Sequence, residues 1–230
     1  MFLEAVKLGA TTAGGLLNAT PFQASLAMHR SRSVGVRSPV PFAMVAFNGA
    51  VWSIYGVVLR SWFPVVAANS IGVVSGLFAL AVFRVYADLK SAAAAARLLS
   101  AFCVGVLLAL GLTQSLILEP VAYPNTQNAL GLFCDGVSVG MFASPLVTVR
   151  EVFRSRSTAS ISPVVTAAST VSSSLWFIYG AAINDLYVWL PNVLGIALSL
   201  FQVGLFVRFR NHHTNGHHHH HYSKSPTPAV

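Results

Sequence analysis

The sequence contains two copies of one pattern, and the copies lie 124 positions apart. Trp52-Ser-Ile-Tyr55-Gly56 in the first half returns as Trp176-Phe-Ile-Tyr179-Gly180 in the second. Other landmarks recur in the same order at this spacing or one residue less: Pro21 with Pro145, Arg30-Ser-Arg-Ser33 with Arg154-Ser-Arg-Ser157, Ser38-Pro-Val40 with Ser162-Pro-Val164, and Asn69-Ser-Ile-Gly72 with Asn192-Val-Leu-Gly195. Such repetition indicates an internal duplication. We therefore expect two structurally similar units.

The composition indicates that both units lie in a membrane. Of the 230 residues, 55% are hydrophobic and only 9% are charged, whereas about a quarter of the residues in soluble domains are charged. A membrane-spanning helix needs roughly 20 apolar residues. Seven apolar runs approach this length, at 3–28, 42–59, 63–83, 98–118, 127–149, 164–183 and 186–207. Because isolated strands leave backbone groups unsatisfied in hydrocarbon, we predict an all-α membrane protein with seven transmembrane helices.

The duplication and the predicted spans together give a domain organisation. A first triple-helix repeat is predicted at 1–88, a linker with one helix at 89–126, and a second triple-helix repeat at 127–210. A single linker helix lets both repeats insert in the same orientation, so we predict parallel repeats in a 3+1+3 arrangement. Transporters with such repeats bind substrate at the repeat interface. We expect the polar tail at 211–230 to be disordered and cytosolic, and assign no function to its histidine run, His217 to His221.

The basic residues indicate membrane orientation rather than nucleic-acid binding. The net charge is +8, but Lys and Arg occur in short clusters between apolar runs, whereas phosphate recognition needs a contiguous basic face. Twelve of them fall on one side of the predicted bundle, and only Lys7 and Arg60 fall on the other. Cytosolic loops carry the excess of Lys and Arg. We therefore expect the N-terminus outside and the C-terminus in the cytosol, with the plasma membrane as the location.

Aromatic and polar residues share one helix face in each copy. Asn48, Trp52 and Tyr55 are spaced by about one helical turn, as are the corresponding residues of the second copy, Ser172, Trp176 and Tyr179. Trp52 lies roughly 15 Å from the cytosolic end of its helix at 1.5 Å per residue, close to the middle of a bilayer. The tryptophans are therefore candidates for a cavity wall. The alternative is that they pack between helices or anchor the protein at the interface.

Asn69 and Asn192 form a second symmetric pair inside the predicted spans. An amide that faces lipid is costly, so each must face protein or a water-filled cavity. The alternative is that they hydrogen-bond neighbouring helices. Asn offers a donor and an acceptor for sugar hydroxyls, and an indole offers an apolar face for sugar C–H groups. The predicted spans hold no pattern typical of an enzyme or a metal site, and we predict no cofactor.

In combination these motifs resemble the SWEET family of sugar transporters, over about residues 3–210. The resemblance rests on Pro21, Asn48-x-x-x-Trp52-x-x-Tyr55-Gly56, Met141-Phe-Ala-Ser-Pro145, Trp176-x-x-Tyr179-Gly180 and Pro191-Asn192-x-x-Gly195. It implies the 3+1+3 fold, cofactor-free facilitated diffusion of mono- or disaccharides, and homo-oligomers. It also implies that the sugar site is lined by Trp52, Trp176, Asn69, Asn192, Leu17, Asn48, Gly140, Ala143 and Ser172.

The resemblance further implies hinges and a gate. The hinge prolines are Pro21, Pro41, Pro145 and Pro163, near the cytosolic ends of their helices, where a missing backbone donor loosens the helix. The repeat spacing pairs Pro163 with Pro39 instead of Pro41, so this assignment stays open. The outer gate is expected to contain Tyr55 and Tyr179, with Gly131 close by. Arg60 and Asp185, on short outer loops, are candidates for an ion pair that holds it shut.

Asp135 lies inside the fifth predicted span, where a carboxylate is a functional candidate. One interpretation is that it couples protons or contacts sugar. The other is that it reaches outer water and couples nothing. The resemblance favours the second, because the family is regarded as uniporters.

The predicted function is bidirectional, facilitative sugar transport by alternating access, with a glucose-like or sucrose-like substrate, the lipid bilayer as partner, and no nucleic acid. One alternative is a PQ-loop-type carrier of amino acids or another small metabolite, although Pro21 and Pro145 precede Phe22 and Leu146 rather than Gln. Another is a non-transporting membrane receptor or assembly protein.

Overall fold

The computed structural model describes residues 1–117, 123–158 and 161–210, and all regular elements within these ranges are helical. The helices are α1 (Phe2–Asn18), α2 (Thr20–Ser31), α3 (Val40–Val58), α4 (Ala67–Tyr86), α5 (Leu89–Ile117), α6 (Tyr123–Met141), α7 (Ala143–Ser155), α8 (Pro163–Ala182) and α9 (Leu186–Arg210), with a wide helical turn at Trp62–Val66 before α4. The predicted tail at 211–230, with its histidine run, lies outside the described residues.

Five helical stretches are long and apolar enough to cross a membrane, judged by length and composition in the described ranges. They are Val40–Val58, Trp62–Tyr86, Leu89–Gly111, Pro163–Ala182 and Leu186–Phe209. These correspond to five of the seven predicted spans.

The other two predicted spans, 3–28 and 127–149, are each divided into two helices, so the prediction of one continuous helix for each was wrong. α1 gives way to α2 at Ala19, and α6 gives way to α7 at Phe142. Pro21 lies at the second position of α2 and has no N–H to donate to the preceding turn. The Thr20 hydroxyl instead donates to the Leu17 carbonyl oxygen, at 2.7 Å. Pro145 lies at the corresponding point of α7.

The linker helix begins earlier than its apolar run. The run was predicted from residue 98, whereas α5 starts at Leu89. Asp88 caps this end, because its carboxylate accepts hydrogen bonds from the Ser91 backbone and hydroxyl and from the Lys90 backbone N–H. These bonds, with the Ser91 backbone first, hold the pKa of the Asp88 carboxyl below its ordinary value.

The two halves of the chain pack together reciprocally. Helix α1 of the first half packs against α8 of the second, and α6 of the second half packs against α3 of the first. Within the halves, α3 packs on α4 and α8 packs on α9. Helix α5 contacts α3, α4 and α6. The interior between the halves is therefore formed by helices of both.

Apolar clusters occupy the two ends of the bundle. The end that holds the chain's N-terminus, called here the N-terminal end, is filled by a cluster that includes Val6, Tyr55, Leu130 and Val188. The opposite end, called here the basic end because the start and finish of its helices carry most of the arginines, contains a cluster around Met28 in the first half. A separate cluster around Val152 lies at the basic end of the second half.

Candidate substrate-binding cavity

A cavity of about 730 Å³ lies between the two halves of the chain, within the size range of small-molecule sites. Both halves supply its walls, through α1, α3, α4, α6, α8 and α9. Eight of the nine residues predicted to contact sugar line it: Leu17, Asn48, Trp52, Asn69, Gly140, Ser172, Trp176 and Asn192. The ninth, Ala143, belongs to α7, but its side chain lies outside the described part of the structure.

The two tryptophans occupy matched positions, and each faces the opposite half. The Trp52 indole N–H donates to the Ser138 hydroxyl of α6, at 2.9 Å. The Trp176 indole approaches Gly14 of α1 so closely that a Cβ at Gly14 would lie 2.7 Å from the indole nitrogen. Since Gly14 and Ser138 are 124 positions apart, each indole meets the equivalent point of the other half.

The two asparagines are also held alike. Each donates its amide N–H to the carbonyl oxygen four residues earlier, Asn69 to Val65 at 2.9 Å and Asn192 to Val188 at 2.7 Å. Within the described residues, neither side-chain carbonyl oxygen makes a hydrogen bond. Both oxygens are therefore available as acceptors for a ligand in the cavity that these residues line.

Sequence reasoning missed several polar residues of the cavity. Ser138 lines it and joins α6 to α3, since it accepts from Trp52 and donates to the Asn48 side-chain oxygen at 3.2 Å. Asn18 also lines it and donates to the Ala68 carbonyl oxygen at 3.0 Å. Both were detectable as polar residues within predicted spans. Ser169, Ser173, Ser199 and Gln202 were missed as well.

The N-terminal end of the cavity is closed by two hydrogen bonds that cross between the halves. The fully buried Tyr55 donates its hydroxyl proton to the Asp185 carboxylate, with oxygens at 2.8 and 3.0 Å. The Tyr179 hydroxyl lies 3.0 Å from the Ser61 hydroxyl. Ser61 and Asp185 are 124 positions apart, so the closure is symmetric in its geometry. Tyr55 and Tyr179 thus each bond the other half at this end, and their role as a gate stays a prediction.

The expected ion pair between Arg60 and Asp185 is absent from the described residues. Both line a smaller vestibule of about 370 Å³ at the N-terminal end, but Asp185 is only 5% exposed. Its carboxylate accepts from Tyr55 and from the Tyr187 and Val188 backbone N–H groups at the start of α9. The physical reason is that the carboxylate is buried and these three donors already satisfy it; by the repeat spacing, the counterpart of Asp185 is Ser61 and that of Arg60 is Asn184.

Gly131 lies near the hydrogen bonds that close the N-terminal end, and the Tyr187 ring connects it to Tyr55. A Cβ at Gly131 has no room because the Tyr187 ring packs against its backbone. The Tyr187 ring in turn meets Tyr55 edge-on, with ring centroids 6.4 Å apart. Gly131 therefore contacts the tyrosine beside the gate, and Tyr187 is a member of this cluster that the sequence did not suggest.

The prolines predicted to act as hinges occupy different kinds of position. Pro21 lies just after the break between α1 and α2, Pro41 lines the cavity near the start of α3, and Pro163 is the first residue of α8. The Pro145 side chain lies outside the described part of the structure. Pro39, which the spacing pairs with Pro163, is the residue before α3, so whether Pro39 or Pro41 completes the set stays open.

The cavity reaches the surface at the basic end. Its lining there includes Val40 and Val165, which are 49% and 52% exposed, and Ser162 before α8. Among the described residues, the cavity is thus closed by hydrogen bonds at the N-terminal end, and its lining is partly exposed at the basic end.

Asp135 is absent from the cavity lining. It is 9% exposed, and one carboxylate oxygen is buried without a hydrogen-bond partner among the described residues. The idea that Asp135 contacts sugar is therefore not supported in this conformation.

Comparisons with known proteins agree on one family. A family model described as a sugar efflux transporter for intercellular exchange matches the chain twice, at residues 16–91 and 128–214. Sugar transporter SWEET1 of Mus musculus is 31% identical, over 79% of this chain and 80% of the relative. Bidirectional sugar transporter N3 of Medicago truncatula is 30% identical, over 83% of this chain and 70% of the relative.

A solved structure of a eukaryotic SWEET transporter has the same fold, with a TM-score of 0.79 at 22% identity, over 92% of this chain and 100% of that chain. The two family matches coincide with the two halves that the repeat defines. The chain is therefore an integral membrane protein that belongs to the SWEET family.

Proposed function

We propose that the protein is a bidirectional, facilitative sugar transporter, a uniporter that moves mono- or disaccharides by alternating access. One observation carries the proposal. A single cavity is lined by the tryptophan and the asparagine of both halves, is closed at one end by the tyrosine bonds, and reaches the surface at the other. The names of the relatives from Mus musculus and Medicago truncatula support sugar as the substrate.

Sugar recognition would use the symmetric pairs at the centre of the cavity. The indoles of Trp52 and Trp176 offer apolar faces to pyranose C–H groups. The free side-chain oxygens of Asn69 and Asn192 accept hydrogen bonds from hydroxyls, and Asn48 adds a further polar group. Since these groups come from both halves, the bound sugar would lie between the repeats. We assign the helices to a 3+1+3 arrangement in which the two repeats have the same orientation in the membrane.

Alternating access would exchange closure at one end for closure at the other. Opening the N-terminal end requires loss of the Tyr55–Asp185 and Tyr179–Ser61 hydrogen bonds. Closing the basic end would bring α2 and α7 inward about the breaks at Ala19 and Phe142, which the nearby Pro21 and Pro145 weaken. No energy source enters this cycle, so net flux follows the sugar gradient in either direction.

We assign the basic end to the cytosol and the N-terminal end to the outside, with the plasma membrane as the location. In that orientation, the conformation described here opens inward. Helix α5 presents Leu107 and Leu108, 67% and 68% exposed, on the bundle surface, where lipid or a second copy in a homo-oligomer would cover them.

The test is transport by the purified protein in liposomes, with radiolabelled glucose and sucrose and with empty liposomes as control. We expect equilibrative flux and accelerated exchange in both directions, unchanged by an imposed pH gradient. Concentration of sugar by a pH gradient would contradict the uniporter. Transport of amino acids but not sugars would favour the PQ-loop alternative, and transport of neither would favour a receptor or assembly protein.

A further inference from the structure

Serine hydroxyls in this chain fall into two groups. Most Ser and Thr residues inside helices donate to a carbonyl oxygen of the preceding turn, the usual arrangement when no other partner exists. Ser25, Ser53 and Thr170, for example, donate to the carbonyl oxygen four residues earlier at 2.7–2.9 Å. Four serines on the second-half wall of the cavity make no such bond with any described residue. Ser172 belongs to the predicted sugar site, which leaves Ser169, Ser173 and Ser199.

These three serines, called here the serine layer, line the cavity. Ser199 is only 6% exposed, and its hydroxyl, which has no hydrogen-bond partner within the described ranges, keeps access to the cavity space. A polar group that is removed from bulk water and left unpaired is costly, so it is normally satisfied by water or by a ligand. Because these hydroxyls are not bonded to their own helices, those of Ser169 and Ser199 are available to a molecule in the cavity, whereas that of Ser173 packs against Gly195 of α9.

The serine layer lies at a matched depth on two helices. Ser169 precedes Trp176 by seven residues on α8, and Ser199 follows Asn192 by seven residues on α9. At 1.5 Å per residue, both lie roughly 10 Å from the tryptophan and asparagine level, towards the basic end. Ser173 lies between the two levels, and Gln202 and Thr166, joined at 3.2 Å, bound the layer on the far side.

The first half has no equivalent layer. The repeat spacing matches Ser173 with Gly49 and Ser199 with Gly76. A Cβ at either glycine would lie 2.6 Å from a backbone oxygen of the neighbouring helix, because α3 and α4 are in close contact there. The hydroxyl groups therefore face the cavity from one side only, next to a site that both halves share.

We propose that the serine layer is a second sugar subsite, which binds the second ring of a disaccharide whose first ring occupies the Trp/Asn site. This inference rests on the proposed function. A disaccharide places further hydroxyls along the cavity towards the basic end, where Ser169 and Ser199 each provide a donor and an acceptor. A monosaccharide leaves the layer to water. The layer therefore favours disaccharides, since a polar site discriminates against ligands that leave it unmatched.

The test compares sucrose and glucose as probes, using the full chain in liposomes. Ser169→Ala and Ser199→Ala are each expected to raise the apparent KM for sucrose about fivefold, the value of one hydrogen bond, and the double variant more. The KM for glucose should stay within about twofold. Ser53→Ala, which removes a hydroxyl already bonded within its own helix, is the matched control and should change neither. Ser169→Thr keeps a hydroxyl and should keep the parent's preference.

Three outcomes would overturn the subsite. In the first, the parent carries glucose but not sucrose, which leaves the proposed function intact. In the second, the alanine variants weaken both sugars equally. In the third, they weaken neither. A parent that carries no sugar would remove the proposed function together with the subsite. Elution of each variant as a single species on size-exclusion chromatography separates these results from misfolding.

Discussion

The two halves of the chain keep the same backbone plan and use it differently. At matched positions, the first half has Gly49 and Gly76, and the second has Ser173 and Ser199. In the first half, the glycines let the backbones of α3 and α4 touch, as small residues do in membrane bundles. In the second, the serines line the cavity between the halves. Duplication has thus produced one half with a close backbone contact at these positions and one with hydroxyl groups there.

The closure at the N-terminal end shows the same divergence. Tyr55 and Tyr179 cross to equivalent loop positions, but one meets a carboxylate and the other a hydroxyl. Hydrogen bonds to charged groups contribute about 1.5–3 kcal/mol, and neutral ones about 0.5–1.5 kcal/mol. The two bonds are geometrically equivalent and energetically unequal.

The asparagine pair is where the halves should behave alike, and where the largest effect is expected. Asn192→Ala should abolish sugar flux, and Asn69→Ala should lower it at least tenfold, because each removes an acceptor oxygen from the centre of the cavity. Initial rates in liposomes measure this, at equal protein incorporation. Normal flux in Asn192→Ala would remove that residue from the site, and a loss confined to one variant would show that sugar contacts the halves unequally.

Close packing is where the halves should differ in stability. Gly76→Ala places a methyl group against the backbone of α3, and such overpacking costs about 1–3 kcal/mol. For a chain of this size, we expect the thermal midpoint in detergent to fall by about 5 °C. Ser199→Ala, at the matched position, should change it by less than about 2 °C. Equal midpoints for both variants would contradict the tighter packing of the first half.

The two tyrosine hydrogen bonds at the N-terminal end are expected to differ in strength, and this difference can be tested. Cys134 is fully buried in the apolar cluster that contains Tyr55, so its reaction with a membrane-impermeant maleimide reports opening of the N-terminal end. In a Cys103→Ser background, Tyr55→Phe should raise the labelling rate about tenfold and Tyr179→Phe about threefold. A larger effect from Tyr179→Phe would reverse the order of the two bonds.

Much of this organisation was predictable because the repeated positions hold residue types that have few possible roles inside an apolar helix. Trp52 and Trp176, with Asn69 and Asn192, were identified from spacing and depth, and the structure brings all four into one cavity. The break at Ala19 lies beside Pro21, a predicted hinge, but the apolar run did not indicate it because hydrophobicity is insensitive to a lost backbone hydrogen bond. The bond from Tyr55 to Asp185 was missed because charge suggested Arg60 as the partner. The repeat spacing matches Asp185 with Ser61, and each of these two residues bonds a tyrosine of the other half.

The hydrogen-bond partner of each polar side chain was the feature of the structure least predictable from the sequence. Ser53 and Ser173 are both serines in apolar helices, yet one bonds its own helix and the other lines the cavity. That difference depends on which face of each helix packs against its neighbours. It is a property of packing between helices, which periodicity within one helix does not specify.

Asp135 should give the smallest effect. The repeat spacing matches it with Thr11 of α1, whose hydroxyl donates to the Lys7 carbonyl oxygen at 2.8 Å, and neither residue lines the cavity. Asp135→Asn keeps the shape of the side chain and removes its charge. Because the carboxylate supplies nothing to the cavity, we expect sugar flux within about twofold of the parent and the same dependence on external pH. If the parent's flux responds to external pH and the variant's does not, a proton at Asp135 takes part in the cycle, and the uniporter proposal fails. The failure would then come from a carboxyl group that only the second half carries.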